Sequence, residues 1–361
     1  MTEKVTLGFI GTGTMGRNHI EAVQKHYGAQ ATVAAVCDSN PGELERAKKM
    51  APAAKAFSLW KDLLHEKMDG IIISTPNFTH AEIAITAIRQ GLHVLSEKPV
   101  ATTRADCLKM VEAAEKSDKI LMIGHELRYS RYFSRIKEIV ASGQIGTPRL
   151  LWCKEFRGRF LPKIDNWIQD SARSGGALVD KNSHHFDLMN WWLGLTPTAV
   201  SAFGGTDVVH VLGTDNEVED NATVIVDYGG QARVTLLLSM IAPFAFPEPL
   251  EFGIFGDKGF LGTTVSKNEI TVIVRETPEQ IEEKGRAFHY LTQGNDASIY
   301  SISPVKSDYG GHDGFTEEHG VFIEAIRTGN KSLTDIRACL YGTLIPMAAE
   351  ESMLNRKMVA L

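Results

Sequence analysis

Three features of the sequence predict an α/β chain, with an N-terminal doubly wound parallel sheet followed by an α+β part built on an open, largely antiparallel mixed sheet. An apolar run of strand length, residues 5–10, passes straight into Gly11-Thr12-Gly13-Thr14-Met15-Gly16 and then a helical pattern to about Tyr27. Strand and helix patterns alternate from there as far as Ile123. From Arg149 onward the pattern becomes one of successive strands joined by short turns. A chain of 361 residues is too long for one ordinary core, so this change divides it into residues 1–123 and 124–361.

The first element sets the chemistry. G-x-G-x-x-G between a strand and a helix is the Rossmann signature for a dinucleotide. Its first glycine permits the tight turn, the second lets a pyrophosphate approach the backbone, and the third lets helix and strand pack closely. Free N–H groups at the helix start face the phosphates. A second strand, residues 31–37, ends at Asp38, 22 positions after Gly16 and just before Ser39. A carboxylate there accepts from ribose hydroxyls and repels a 2′-phosphate, which favours NAD over NADP.

The alternation then continues. Ser58 caps a helix to about Lys67, and residues 70–74 form a strand closed by Thr75-Pro76-Asn77. Thr79-His80-Ala81-Glu82 reads as a capping box for a helix that stops at Gly91. Residues 93–96 are a strand followed by Glu97-Lys98-Pro99; Thr103 to Asp106 is a second cap, and residues 120–123 a further strand. In such a sheet ligands bind at the carboxyl ends of the strands, where Thr75, Pro76 and Glu97-Lys98-Pro99 fall.

In the second part, residues 132–141 read as a helix and residues 149–157, 199–203, 221–228, 232–240, 250–255 and 269–274 as strands. A sheet covered by helices on one side leaves a face open to a second subunit. Residues 175–194, bracketed by glycines, read as a helix with Asp180, His184, Asp187 and Trp191 on one face and Phe186, Met189 and Leu193 opposite. Residues 280–286 are charged and read as surface. The long helical pattern from Thr334 carries Pro346, which should kink or break it. Arg157, Arg159 and Lys163 are candidates for an acidic substrate group, although surface ion pairs are the commoner use. His312, in a glycine-rich loop, is a candidate substrate contact.

Composition narrows the function classes. A net charge of −6 and a pI near 6.1 argue against nucleic acid as partner. No apolar run is long enough to span a membrane, and the N-terminal run leads into glycines rather than a cleavage region. Four scattered cysteines form no C-x-x-C pair, so neither disulfides nor zinc are expected, and a cytoplasmic location is. Asp180, His184, His185 and Asp187 match no metal-ligand spacing, so no metal is expected.

Taken together, the glycine motif, Thr75-Pro76-Asn77, His80, Glu97-Lys98-Pro99, residues 124–129, residues 142–146, Trp167 before Ser174-Gly175-Gly176, then Asp180, His184, Asp187 and residues 322–329 resemble the Gfo/Idh/MocA oxidoreductase family. That family is named for glucose–fructose oxidoreductase and inositol dehydrogenase, and the resemblance covers essentially the whole chain. It implies a lysine, Lys98, touching the nicotinamide ribose and the reacting hydroxyl, an acid/base His184 assisted by Asp180, a supporting Glu97 and an often cis Pro99. Candidate cofactor contacts are Gly11, Thr12, Gly13, Thr14, Met15, Gly16, Asp38, Ser39, Thr75, Pro76, Asn77, His80, Glu97 and Lys98. Candidate substrate contacts are Lys98, Arg128, Trp167, Asp180, His184 and Asp187. The resemblance also implies a homodimer or homotetramer. Asn182 with Lys181 before it, Glu126 in place of a frequent Asn, and Ile168 after Trp167 depart from the family pattern.

The leading expectation is NAD-dependent oxidation of a secondary alcohol on a sugar, polyol or related substrate. His184 takes the proton and Lys98 stabilises the alkoxide. A redox-neutral glycosidase, working by oxidation, elimination, hydration and reduction, is the alternative; it needs a further base, for which Lys181, His185 and Tyr129 are candidates. A non-catalytic sugar sensor would have no need of both Lys98 and His184.

Overall fold

The computed structural model describes residues 3–243, 245–275, 297–302 and 314–361. The expectations for residues 280–286 and for His312 lie outside these.

The first sheet has six parallel strands, β1 (Val5–Ile10), β2 (Ala31–Cys37), β3 (Lys55–Phe57), β4 (Gly70–Ile73), β5 (His93–Glu97) and β6 (Leu121–Gly124), in the order β3-β2-β1-β4-β5-β6. The order reverses between β1 and β4. Their carboxyl ends therefore open the crevice in which such sheets bind ligands. Burial on both faces explains the continuous apolar runs: Ile71, Ile72, Ile73, Val94 and Leu95 are fully buried.

The second sheet has nine strands in the order β14-β13-β12-β11-β7-β10-β9-β8-β15. They are β7 (Pro148–Phe156), β8 (Ala199–Gly205), β9 (Asn221–Asp227), β10 (Arg233–Ser239), β11 (Leu250–Gly256), β12 (Gly259–Thr264), β13 (Glu269–Arg275), β14 (Ala297–Ile302) and β15 (Val359–Ala360). Only β7 and β10 pair in parallel; the other neighbours are antiparallel. Alternation puts Cys153, Val224, Val226, Val234 and Leu236 into the core. The opposite face carries Leu150, Phe203, Ile225, Leu237 and Phe255, each more than a third exposed.

Helices α1 (Thr14–Tyr27), α2 (Pro41–Met50), α3 (Trp60–Leu63), α4 (His80–Arg89) and α5 (Arg104–Glu115) connect the first sheet; α6 (Arg131–Ala141), α7 (Ser171–Ser174) and α8 (Ser183–Leu193) belong to the second part. The last two helices, α9 (Phe315–Thr328) and α10 (Ile336–Asn355), return to the first sheet. Phe322, Ile323 and Ala325 join the core under β1 and β2, while Ile336, Cys339 and Leu344 join the core on its other face. Further along α10, Ile345, Ala348 and Ala349 enter the core of the second sheet, so one helix ties the two cores together. It runs through Pro346 without a break. Among the described residues no helix is long and apolar enough to cross a membrane.

Two expected caps differ. Thr79 precedes α4 but its hydroxyl donates to Thr75 Oγ1 and Pro76 O, so no capping box forms. The helix expected after Ser58 shrinks to α3, entered at Leu59 without a side-chain cap. Thr103 does cap α5, accepting from Asp106 N at 3.1 Å.

Candidate active site

The glycine loop fits a pyrophosphate. Gly11 takes φ +85°, a conformation open to glycine at little cost. A Cβ at Gly16 would lie 1.9 Å from Gly11 O, so α1 reaches β1 only because that atom is absent. A Cβ at Gly13 would meet nothing within 4 Å, which leaves the backbone open to a ligand. α1 starts with no side-chain cap and no acid in its first turn, so Thr14 and Met15 leave their N–H groups for an anion. Asp38 crosses to this loop: its Oδ2 accepts from Thr12 N at 2.7 Å and its Oδ1 from Asn40 N at 2.8 Å. Ser39 sits in the bend between them.

The end of β5 leads into Lys98. Lys98-Pro99 is a cis peptide. Lys98 Nζ donates to the backbone O of Asp180 at 2.9 Å and lies 3.9 Å from its Oδ1. Two residues expected to touch cofactor build this corner. His80 is buried, with Nδ1 at 2.9 Å from Pro99 O and Nε2 at 3.0 Å from Thr75 O, and so ties the Lys98 turn to the end of β4. Asn77, also buried, donates to Ser174 O and Asp180 Oδ1 at 2.8 and 3.0 Å, joining the first sheet's edge to the second part. Glu97 Oε1 meets His19 Nε2 at 3.1 Å, and His19 Nδ1 meets His319 Nε2 at 2.8 Å, a buried relay that fixes the strand end against α9. The His19–His319 link was outside the reach of sequence reasoning, since the two lie 300 positions apart.

The stretch read as one helix is not one. Gly175 and Gly176 take positive φ, and Leu178–Asn182 is a π turn leading into α8. Such turns accommodate one extra residue and recur at functional sites. Asp180 therefore does not stack on His184, and no hydrogen bond or ion pair joins them among the described contacts. Its carboxylate faces Asn77 and Lys98 through Oδ1 and Lys181 Nζ, 3.4 Å away, through Oδ2. Burial alone would raise this carboxyl; the Lys98 and Lys181 ammoniums overcome that and hold it below the usual carboxylate range.

His184 has Nδ1 buried, 3.7 Å from Glu126 Oε2. The His125 ring meets its ring edge-on, centroids 5.4 Å apart at 84°. Burial, then Lys98, His125, His185 and Lys181, hold its pKa well below the ordinary imidazole value. The ring is thus neutral at pH 7, as a proton acceptor must be. The face expected to be polar is largely buried, since Asp180 and Asp187 are as enclosed as Phe186 and Met189.

Arg128 and Asp187, expected as substrate contacts, face each other. Arg128 grips Asp187 through Nε–Oδ2 and Nη2–Oδ1, both 2.7 Å, and donates to Leu333 O and Ala338 O at 2.8 Å. Both side chains are buried, and their polar atoms are consumed by each other and the backbone. His125, Asp187 and Cys339 place three donor atoms within 4.8 Å, but Arg128 already neutralises the carboxylate, so the cluster does not suit a cation. Trp167 is half-buried against the second core in a short turn with Asp165 and Asn166 at positive φ. Arg157 pairs with Glu155, and Arg159 with Gln169 at 3.4 Å, consistent with structural use. Lys181 and Glu126, both visible in the sequence as departures from the family text, stand at the centre of the site.

Residues 5–125 match the oxidoreductase family with an NAD-binding Rossmann fold, and residues 133–262 match the GFO/IDH/MocA C-terminal domain. The chain is similar to myo-inositol 2-dehydrogenase of Thermotoga maritima, 26% identical over 356 residues that span 98% of each chain. It is similar in structure to the WlbA dehydrogenase of Chromobacterium violaceum in complex with NADH and UDP-GlcNAcA, at a TM-score of 0.80 and 26% identity over 100% of this chain and 97% of that one. An oxidoreductase domain protein from Kribbella flavida shares the fold at a TM-score of 0.84 and 22% identity, covering 99% of both. With both parts matched and a relative aligned nearly end to end, the chain belongs to the Gfo/Idh/MocA family of oxidoreductases, and its N-terminal part is their NAD-binding Rossmann domain.

Proposed function

We propose that the protein is a dehydrogenase that moves a hydride between NAD and a secondary alcohol of a sugar, polyol or glycoside. The observation that carries this reading is the convergence of Lys98 and His184, through Asp180 and the π turn, beyond the glycine loop of the first sheet. The names of similar proteins, inositol dehydrogenases and a nucleotide-sugar dehydrogenase, support a polyhydroxylated substrate. NAD, when bound, supplies the hydride acceptor. His184 removes the hydroxyl proton at Nε2, the ring nitrogen that is not buried without a partner. Lys98, whose Nζ lies 3.9 Å from Asp180 Oδ1, stabilises the developing alkoxide. A spectrophotometric panel of sugars, polyols and glycosides with NAD and NADP tests this: steady NADH formation from a free polyol or sugar is expected, and none from any of them would overturn it.

NAD is proposed over NADP because the ribose end presents Asp38, while the nearby cation Arg17 is neutralised by Glu43. Asp38→Ser is expected to raise the NADP-to-NAD ratio of kcat/KM at least tenfold; an unchanged ratio would remove Asp38 from the role.

The redox-neutral glycosidase remains the second reading because Lys181 is half-buried beside the site, with desolvation and then Lys98 and Arg157 pressing its pKa down against the pull of Asp180. The other candidate bases are engaged elsewhere: Tyr129 Oη with Thr334 Oγ1 at 3.0 Å, and His185 Nδ1 with Asn182 at 2.9 Å. Glycoside cleavage without accumulating NADH would select this reading.

The apolar face made by Leu150, Phe203, Ile225, Leu237 and Phe255 supports a homodimer or homotetramer joined through the second sheet. Light scattering is expected to give a multiple of the chain mass, and Phe203→Glu to reduce it. Four free, buried cysteines suit a reducing cytoplasm.

A further inference from the structure

We propose that Glu126 is the carboxylate that positions and polarises His184, and that Asp180 serves Lys98 instead. The proposal rests on His184 being the proton acceptor.

His184 Nδ1 is enclosed by protein and has no hydrogen-bond partner at ordinary distance. Among the described residues, the one carboxylate within 4 Å of it is Glu126, whose Oε2 is 3.7 Å away. Glu126 is itself buried, delivered by the short 3₁₀ turn Glu126–Tyr129 that follows β6. A contraction of about 0.8–1.0 Å, within reach of side-chain rotation, turns this approach into a charge-assisted hydrogen bond. The His125 ring, edge-on to the imidazole, restricts the ring's rotation about that axis. Asp180 faces other groups: Asn77 and Lys98 on one oxygen, Lys181 on the other, and its carbonyl under Lys98 Nζ. The π turn is the physical reason, because it removes the one-turn stacking that a regular helix would have given the two side chains.

The consequence is a defined tautomer. With Nδ1–H directed at Glu126, the lone pair sits on Nε2, the nitrogen available to a substrate hydroxyl. As His184 takes a proton, the imidazolium forms beside an anion. The groups facing the ring are Lys98 from β5, Lys181 and His185 from the π turn and α8, and His125 and Glu126 from the end of β6. The two lysines disfavour the imidazolium, and Glu126 is the group that offsets them. Behind Glu126 lies Glu318 of α9, fully buried, its carboxyl pushed up by burial and then by Glu126 and Glu97. The direction of that shift favours its neutral form beside Glu126.

The test compares Glu126→Gln, Glu126→Asp, Asp180→Asn and His184→Ala in the full chain with NAD and the best alcohol from the panel. Glu126→Gln is expected to lower kcat about a hundredfold with NADH affinity within about twofold of wild type. Removing a negative charge from beside the ring lowers its pKa, so the acid limb of kcat/KM moves to lower pH. Glu126→Asp is expected to keep most of the rate, and Asp180→Asn to lose rate with the acid limb in place. An acid limb of Glu126→Gln coincident with wild type overturns the proposal, as does a shifted limb in Asp180→Asn. Should Glu126→Gln prove too unstable to assay, ¹⁵N chemical shifts of His184 in the wild-type protein decide. A protonated Nδ1 supports the pairing, and a protonated Nε2 refutes it. His184→Ala separates the two levels: if it turns over normally, the proton-acceptor reading fails first, whatever Glu126 does.

Discussion

Replacing His184 with alanine is expected to cut turnover about a thousandfold while NADH still binds, and Lys98→Ala to cost between about a hundred- and a thousandfold. A thousandfold loss corresponds to about 4 kcal/mol of transition-state stabilisation. The two effects have different physical origins. His184 is a neutral, buried base whose removal leaves the hydroxyl proton without an acceptor except water. Lys98 is an ammonium held by the Asp180 carbonyl and carboxylate, and its removal leaves the alkoxide charge uncompensated and Asp180 buried with Lys181 as its remaining cation. Among the described residues no hydrogen bond or ion pair joins either side chain to the glycine loop, so fluorescence titration with NADH should report near-normal affinity. Turnover above a tenth of wild type in either variant would exclude that residue from the chemistry.

Arg128→Ala is expected to destabilise the fold by about 3–5 kcal/mol, the usual cost of leaving one member of a buried ion pair without its partner. Four donor contacts disappear at once, two to Asp187 and two to the carbonyls of Leu333 and Ala338, which lead into α10. Because α10 enters both cores, the loss should appear as a lower urea midpoint of one cooperative transition, not as local fraying. Replacing both members, Arg128→Met with Asp187→Leu, is expected to recover most of the loss, since no lone charge is then buried. A substrate-binding arginine would behave differently: KM would rise with the urea midpoint unchanged.

Local chemistry made much of the first part readable from sequence. Gly11, Gly13 and Gly16 do in the structure what a strand–turn–helix junction asks of glycine, and continuous apolar runs announced strands buried on both faces. The second sheet was readable in outline, but β12 escaped because Gly259 and Gly262 interrupt its alternation. The protein partners of four residues at the site lay beyond the reach of the sequence for one reason. Asn77, His80, Arg128 and Asp187 are polar residues near a ligand edge, and sequence position cannot say whether such a residue meets ligand or another segment. Their partners lie between 5 and 210 positions away. Lys98 and His184 stood out in the sequence because of their neighbours, Glu97 and Pro99 around the lysine and the glycines before the π turn. Glu126 was noticed only as an unusual letter, since nothing local shows that it ends 3.7 Å from an imidazole 58 positions later.

The π turn at Leu178–Asn182 has a consequence for chain length. The segments on either side of it are out of phase by one residue, about 100° of helical rotation. Deleting one residue inside the turn would bring them into phase and let α8 extend backwards as an ordinary helix. Asp180 would then swing away from Lys98 although every side chain named in the site was still present. The site is thus written partly in spacing. Two relatives with the same lysine, aspartate and histidine but a different count of residues between the glycines and the histidine would hold their lysines differently, and would be expected to divide into distinct substrate groups along that line.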